Sequence, residues 1–188
     1  MRCPWPANDP LMIAYHDKER GKPVHDDRVL FEFLILESFQ AGLSWRTILH
    51  KRENFRKAFA NFDPKKVSKF DTKKFNSLMK DAGIIRNSLK IKAAINNAQC
   101  FLQIQKEFGS FDKYVWSFTK GKTIINKPKT LKDLPAKTKL SDVMSEDMGR
   151  YGFKFRGSTI CYAFMQAVGI IDDHLVGCYQ KTRHKRAN

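Results

Sequence analysis

Acidic residues are scarce in this chain: 19 Asp and Glu face 35 Lys and Arg, for a net charge of +16 over 188 residues. An excess of that size favours a polyanionic partner, either nucleic acid or an anionic membrane surface. Long hydrophobic runs are also missing, and none reaches the roughly 20 apolar residues that span a bilayer. Met1-Arg-Cys-Pro-Trp-Pro6 lacks the apolar core of a secretory signal. Together these absences predict a cytoplasmic chain with no membrane partner and reduced thiols. Four cysteines are too few for a disulfide scaffold, and a chain this long can bury a core without one. They are left as packing residues, metal ligands or nucleophiles. Strand signals are almost absent, and internal repeats, a Ser-His-Asp order, a Gly-rich phosphate loop and a dinucleotide fingerprint are all lacking. The aromatic fraction of 12% argues against disorder.

What is present reads as helices. The apolar run Val29-Leu-Phe-Glu-Phe-Leu-Ile-Leu36 predicts a buried helix over about 28–41, capped by Asp27 and ended by Ala41-Gly42, with Gly42 free to turn left-handed. Ser44 caps a helix of about 45–59 whose outer face carries Arg46, His50, Lys51, Arg52, Arg56 and Lys57. Asp63-Pro64 opens a short helix and Asp71 caps another over 72–80. Ser88–Phe108 is a long amphipathic helix, with a short one over 111–118. Ser141 caps a helix to about 150, and an apolar helix over 158–168 is closed by Gly169. Residues 1–25 and the Lys/Pro-rich stretch 119–139 read as irregular, and a basic tail spans Lys181–Arg186. The fold class is all-α, in one compact unit over 1–188: a helical core over about 26–170, with a hairpin at about 71–108.

Three constellations can carry chemistry. Cys3 and His16 lie near one end, His174 and Cys178 near the other. A helical turn would set the last two on one side. Two Cys and two His match a closed tetrahedral zinc site. The spacing Cys3-x12-His16 is not a usual finger spacing, so spacing alone also leaves four unrelated residues as a reading. Cys100 and Cys161 sit on apolar helix faces and read as packing residues. The corner Lys80–Ser88 is a helical hairpin whose backbone amides could bind a phosphate, with Arg86, Lys90 and Lys92 around it. Finally, the turn from Glu37 to Trp45 brings a carboxylate, the exposed Leu43 and an indole together. With Trp5, Tyr15 and, as a further candidate, Tyr162 it would form an aromatic pocket suited to a planar cation. The same aromatics could equally be core.

The chain resembles the 3-methyladenine DNA glycosylase I (Tag) family from end to end. The resemblance is carried by Asp9-Pro-Leu11, Ile13-Ala-Tyr-His-Asp17, Glu37 with Gln40-Ala-Gly-Leu-Ser-Trp45, and Lys51-Arg-Glu-Asn-Phe55. Further matches are Phe62-Asp-Pro64, Asp81-Ala-Gly-Ile-Ile-Arg86, Val115-Trp-Ser-Phe118, Gly152-Phe-Lys-Phe155 and Thr159-Ile-Cys-Tyr162. Phe164-Met-Gln-Ala167, Asp173-His174 and Gly177-Cys178 complete them. The resemblance implies an all-α helix-hairpin-helix glycosylase acting on double-stranded DNA; a monomer is expected, because nothing in the sequence suggests otherwise. It implies a structural zinc unit built from 1–25 and 170–188, with Cys3, His16, His174 and Cys178 as ligands. Tyr15, Glu37 and Trp45 fall where the family recognises a flipped 3-methyladenine; the pocket reading adds Trp5, and Glu37 is the expected catalytic carboxylate. Gly42 and Leu43 would fill the gap in the duplex, and Gly83, Ile85, Arg86 and Lys90 would hold the backbone.

3-Methyladenine in DNA is cationic and already a good leaving group, so recognition of charge can supply selectivity, and water is the expected nucleophile. A neutral adenine would leave Glu37 buried and unpaired. Two positions depart from the family pattern, which has aromatics where this chain has Met12 and Arg20. A guanidinium beside a cationic base is repulsive unless Glu19, Glu37 or a phosphate neutralises it.

Overall fold

The computed structural model describes residues 1–183, the last two as backbone only. Residues 184–186 of the basic tail lie outside the described residues. Ten helices in chain order carry the described chain: α1 (Pro10–Lys18), α2 (Asp27–Gln40), α3 (Trp45–Ala58), α4 (Pro64–Val67), α5 (Thr72–Lys80), α6 (Ser88–Phe108), α7 (Phe111–Ser117), α8 (Lys139–Arg150), α9 (Ser158–Ala167) and α10 (Tyr179–Arg183). No described helix is long and apolar enough to cross a membrane.

Helix α2 is the axis of the molecule. Leu30 through Phe39 are buried without a break, which is the behaviour of a helix apolar all round. It packs against α3, α6, α7 and α9. Its one buried carboxylate near the entry, Glu32, is matched by two guanidiniums: Arg52 Nε donates at 2.5 Å and Arg56 Nε at 3.0 Å. Arg52 also donates to Glu19 at 2.7 Å. The basic face expected on α3 is therefore largely turned to structural use. Arg46 and His50 both meet Asp9 at 2.7 Å, and Lys51 Nζ donates to the Ala82 carbonyl at 3.0 Å.

Several boundaries differ from the sequence reading for identifiable reasons. Asp26, not Asp27, caps α2, accepting from the amides of Arg28 and Val29. Asp27 instead accepts from the amides of Phe111 and Asp112, tying α2 to the start of α7. Thr138, not Ser141, caps α8; Ser141 is the reciprocal partner in a capping box. The segment 1–25 holds a helix: Asp9 caps α1 and Pro10 sits at its first position, the same signal that opens α4 at Asp63-Pro64. The stretch 119–139 contributes β1 (Ile124–Ile125), which pairs in parallel with β2 (Ile171–Asp172). His174 and Cys178 lie in irregular chain between β2 and α10, not on a helical turn. Gly169, at φ +75°, would set a Cβ 2.2 Å from the Lys22 carbonyl carbon, so glycine is required where the loop 19–24 crosses the end of α9.

Candidate active site and metal cluster

The turn after α2 is built as its residues demand. Gly42 is left-handed at φ +75°, the Leu43 amide donates to Gln40 O at 2.6 Å, and Ser44 caps α3 through the Thr47 amide at 3.1 Å. Leu43 is left 42% exposed at the tip. A cleft of about 190 Å³ opens beside it, lined by Glu37, Gln40, Leu43, Thr159, Ile160 and Ala163. That is below the roughly 300–1,000 Å³ of a typical ligand pocket and is on the scale of a single flat base.

Glu37 is 4% exposed, and its Oε2 has no hydrogen-bond partner among the described residues. Burial pushes its carboxyl up to about 8, with Arg20 pulling the other way. The indole Nε1 of Trp45 is likewise buried and unpartnered. Trp45 lies 5.1 Å from Tyr15, centroid to centroid, and is stacked near Phe33 at 6.4 Å. Trp5 stands edge-on to Tyr15 at 6.2 Å. The structure thus brings Trp5, Tyr15 and Trp45 into one aromatic wall, and Glu37 bears on Tyr15 through its charge, but none of the three rings is among the residues that line the cleft beside Leu43. Tyr162 is not a free member of the pocket: its hydroxyl donates to Asp173, which also accepts from Gln166 Nε2 at 2.6 Å. Met12 is buried and faces a second hollow shared with Trp5, Asp9, Arg46 and His50.

At the α5–α6 corner, Asp81 Oδ1 accepts from the Gly83 amide at 2.7 Å. A Cβ on Gly83 would lie 2.9 Å from that oxygen and 3.1 Å from Asn54. Ile84 anchors the turn in the core, and Asn87 caps α6. The amides of Ile85, Arg86, Ser88 and Leu89 find no partner among the described residues, and the Arg86 side chain is exposed. Lys90 departs from its expected role. It is 7% exposed, and its Nζ donates inward to Phe39 O at 2.8 Å and Ala41 O at 2.5 Å. Its ammonium serves the C-terminal carbonyls of α2 and the turn above, a contact that sequence spacing gives no means of seeing.

Cys3, His16 and Cys178 meet, their ligand atoms all within 4.8 Å of one another and all three buried. His174 is not within that trio, although its ring stands edge-on to His16 at 4.9 Å. Each histidine has its Nδ1 held by a carboxylate at 2.7 Å, Asp17 for His16 and Asp172 for His174. Burial pushes Asp172 up, but hydrogen bonds from His174 outweigh it and bring the carboxyl to about 2. Ionised acceptors make Nδ1 the donor in each ring and turn each Nε2 lone pair away. The His174 Nε2 is buried without a partner. Such a donor set fits a soft or borderline divalent ion.

The sequence model of the family described as methyladenine glycosylase matches residues 5–181. The chain is similar to DNA-3-methyladenine glycosylase 1 of Escherichia coli (strain K12), 48% identical over 177 residues that cover 94% of this chain and 95% of the relative. A crystal structure of a 3-methyladenine DNA glycosylase I superposes with TM-score 0.93 at 45% identity, covering 95% of this chain and 98% of the other. The glycosylase I of Staphylococcus aureus, solved for its recognition of 3-methyladenine, superposes with TM-score 0.93 at 37% identity, covering 96% of each.

Proposed function

The chain belongs to the methyladenine glycosylase family, and on that premise we propose how its site works. The protein is a DNA repair enzyme, a DNA-3-methyladenine glycosylase that hydrolyses the N-glycosidic bond of 3-methyladenine in alkylated DNA. A base inside a duplex is out of reach, so it is flipped into the cleft beside Leu43. Leu43 fills the space the base leaves, and the open amides of Ile85, Arg86, Ser88 and Leu89 hold a backbone phosphate at the helical hairpin. We read α5 and α6 as the helix-hairpin-helix unit.

The observation that carries the recognition is the pair of buried orphans, Glu37 Oε2 and Trp45 Nε1, beside the aromatic wall of Trp5 and Tyr15. A carboxylate in so dry a place is costly alone. A cationic base supplies both the opposite charge and the amino-group donor that Oε2 lacks. Glu37 accepts from the base, Tyr15 and Trp45 border its face, and charge lost from the base on departure is the driving change. Water completes a monofunctional hydrolysis that leaves an abasic site.

Cys3, His16 and Cys178 are close enough to hold a metal ion. We take that ion to be zinc, with His174 Nε2 as the fourth ligand; the unpartnered buried nitrogen supports this. Its contribution would be structural, cross-linking the two ends of the chain.

Incubation with methylated DNA and chromatography of the released bases tests the reading. Free 3-methyladenine is expected, reduced by at least about 100-fold in Glu37→Ala, the scale of removing a group that acts in the transition state. Equal release by the variant sinks the role of Glu37. Binding of methylated DNA with no release would instead favour a non-catalytic DNA-binding module.

A further inference from the structure

The aromatic wall already carries a cation. The Arg20 guanidinium lies over the Trp5 ring, 5.2 Å from its centroid. No hydrogen bond or ion pair holds that side chain among the described residues. Its backbone is fixed, however, by its amide donating to Tyr15 O at 3.0 Å at the end of α1. The neighbouring carboxylates are engaged elsewhere: Glu19 accepts from Arg52 at 2.7 Å, and Glu32 is shared by Arg52 and Arg56. Of these three acids, Glu37 is the one whose buried oxygen has no hydrogen-bond partner among the described residues. The charge of Arg20 is felt at Glu37, Tyr15 and Tyr162 and also at Cys3 of the sulfur–imidazole cluster; its place at the aromatic wall rests on the Trp5 contact.

We propose that Arg20 is a resident cation of the base site, one that competes with the lesion for the Trp5 face and the Glu37 charge and must swing away when a base enters. This rests on the reading of that cleft as the base site. A planar guanidinium and a planar cationic purine ask for the same aromatic face and the same carboxylate. The two cannot share both, and like charges at contact distance repel in so dry a place. Arg20 therefore sets affinity, and it keeps a counter-charge near Glu37 until the base arrives.

The test compares the wild type with Arg20→Met, which keeps length and removes charge, and Arg20→Lys, which keeps charge. Binding of free 3-methyladenine is followed by tryptophan fluorescence, and excision from methylated DNA by KM and kcat. Arg20 is partly exposed, so both variants are expected to fold, and circular dichroism checks this. The released base is uncharged, so free 3-methyladenine reads competition for the Trp5 face alone, and Arg20→Met should bind it about three- to tenfold tighter, the range that loss of a competing cation–π contact supports; the cationic lesion in DNA reads the charge competition as well. The effect should fall on KM rather than kcat, with Arg20→Lys near the wild type. Unchanged or weaker free-base binding by Arg20→Met overturns the proposal. So does a loss seen with DNA but not with free base, which would make Arg20 a phosphate contact. Failure of every form, wild type included, to bind the base overturns the site reading and this proposal together.

Discussion

At the scale of one residue, Glu37 shows how burial is put to use. Its carboxyl is pushed from 4.5 to about 8 by burial, so between those values the folded protein holds a proton that the unfolded chain releases. Stability contributed at this position is thus lost as pH rises from about 4.5 towards 8. Glu37→Gln keeps the shape and removes the titration. Urea midpoints at pH 5 and pH 8 should show the wild type losing on the order of 2 kcal/mol relative to the variant, well under what the full shift would give. The same proton bears on activity. Recognition of a cation needs the ionised acid, so kcat/KM, which reports the free enzyme, should climb through about pH 8. In the complex the cationic base holds Glu37 ionised, and kcat should stay level to lower pH. Parallel profiles for the two constants would count against ion pairing with the base.

At the scale of elements, the join between α2, the Gly42–Leu43 turn and α6 is made by Lys90. Its ammonium meets the last carbonyls of α2, where a cation also complements the helix dipole. Lys90→Met retains the stem and removes both hydrogen bonds. It should cost about 1–3 kcal/mol in stability, the scale of leaving buried acceptors unsatisfied, and should slow excision by loosening the turn that carries Leu43. Denaturant midpoints together with excision rates measure both, and an unchanged excision rate in a destabilised variant would confine Lys90 to stability. The sequence made α2 through α9 legible because caps and apolar periods agree at most of their ends: Ser44, Asp63, Asp71 and Ser88–Phe108 all stand where local chemistry puts them. It misled at Asp26-Asp27 and at Thr138/Ser141, where two good caps lie within one turn and only tertiary hydrogen bonds decide between them. Lys90 was illegible for a different reason. A lysine after a hairpin looks the same in sequence whether it faces a phosphate or a carbonyl.

At the scale of the whole molecule, the candidate site is assembled from distant segments: the wall comes from residues 5, 15 and 45, the acid from 37 and the cleft's far side from α9. Residue types announced an aromatic cage with a carboxylate, but the orphaned Oε2 and the stacking of Arg20 on Trp5 needed coordinates. The loop 1–9 that supplies Trp5 is held by the opposite end of the chain. The Met1 amine donates to Gly177 O at 3.2 Å, and the Tyr179 amide to Met1 O at 2.9 Å. Gln180 Nε2 donates to Asp17 O at 2.5 Å. All three contacts end on backbone carbonyls and are individually modest, so the sulfur–imidazole cluster of Cys3, His16 and Cys178 should be the stronger clasp if it holds zinc. Chelation, or Cys178→Ala, should then remove about one equivalent of zinc and about 3 kcal/mol, lowering Tm by roughly 6–12 °C for a chain this size. Because Trp5 rides on the freed segment, free-base affinity should fall with it, whereas Cys100→Ala should retain the metal. Metal analysis of the purified protein, paired with thermal melts before and after chelation, decides the matter. A metal-free protein whose melt is indifferent to chelator would leave the clasp to hydrogen bonds alone.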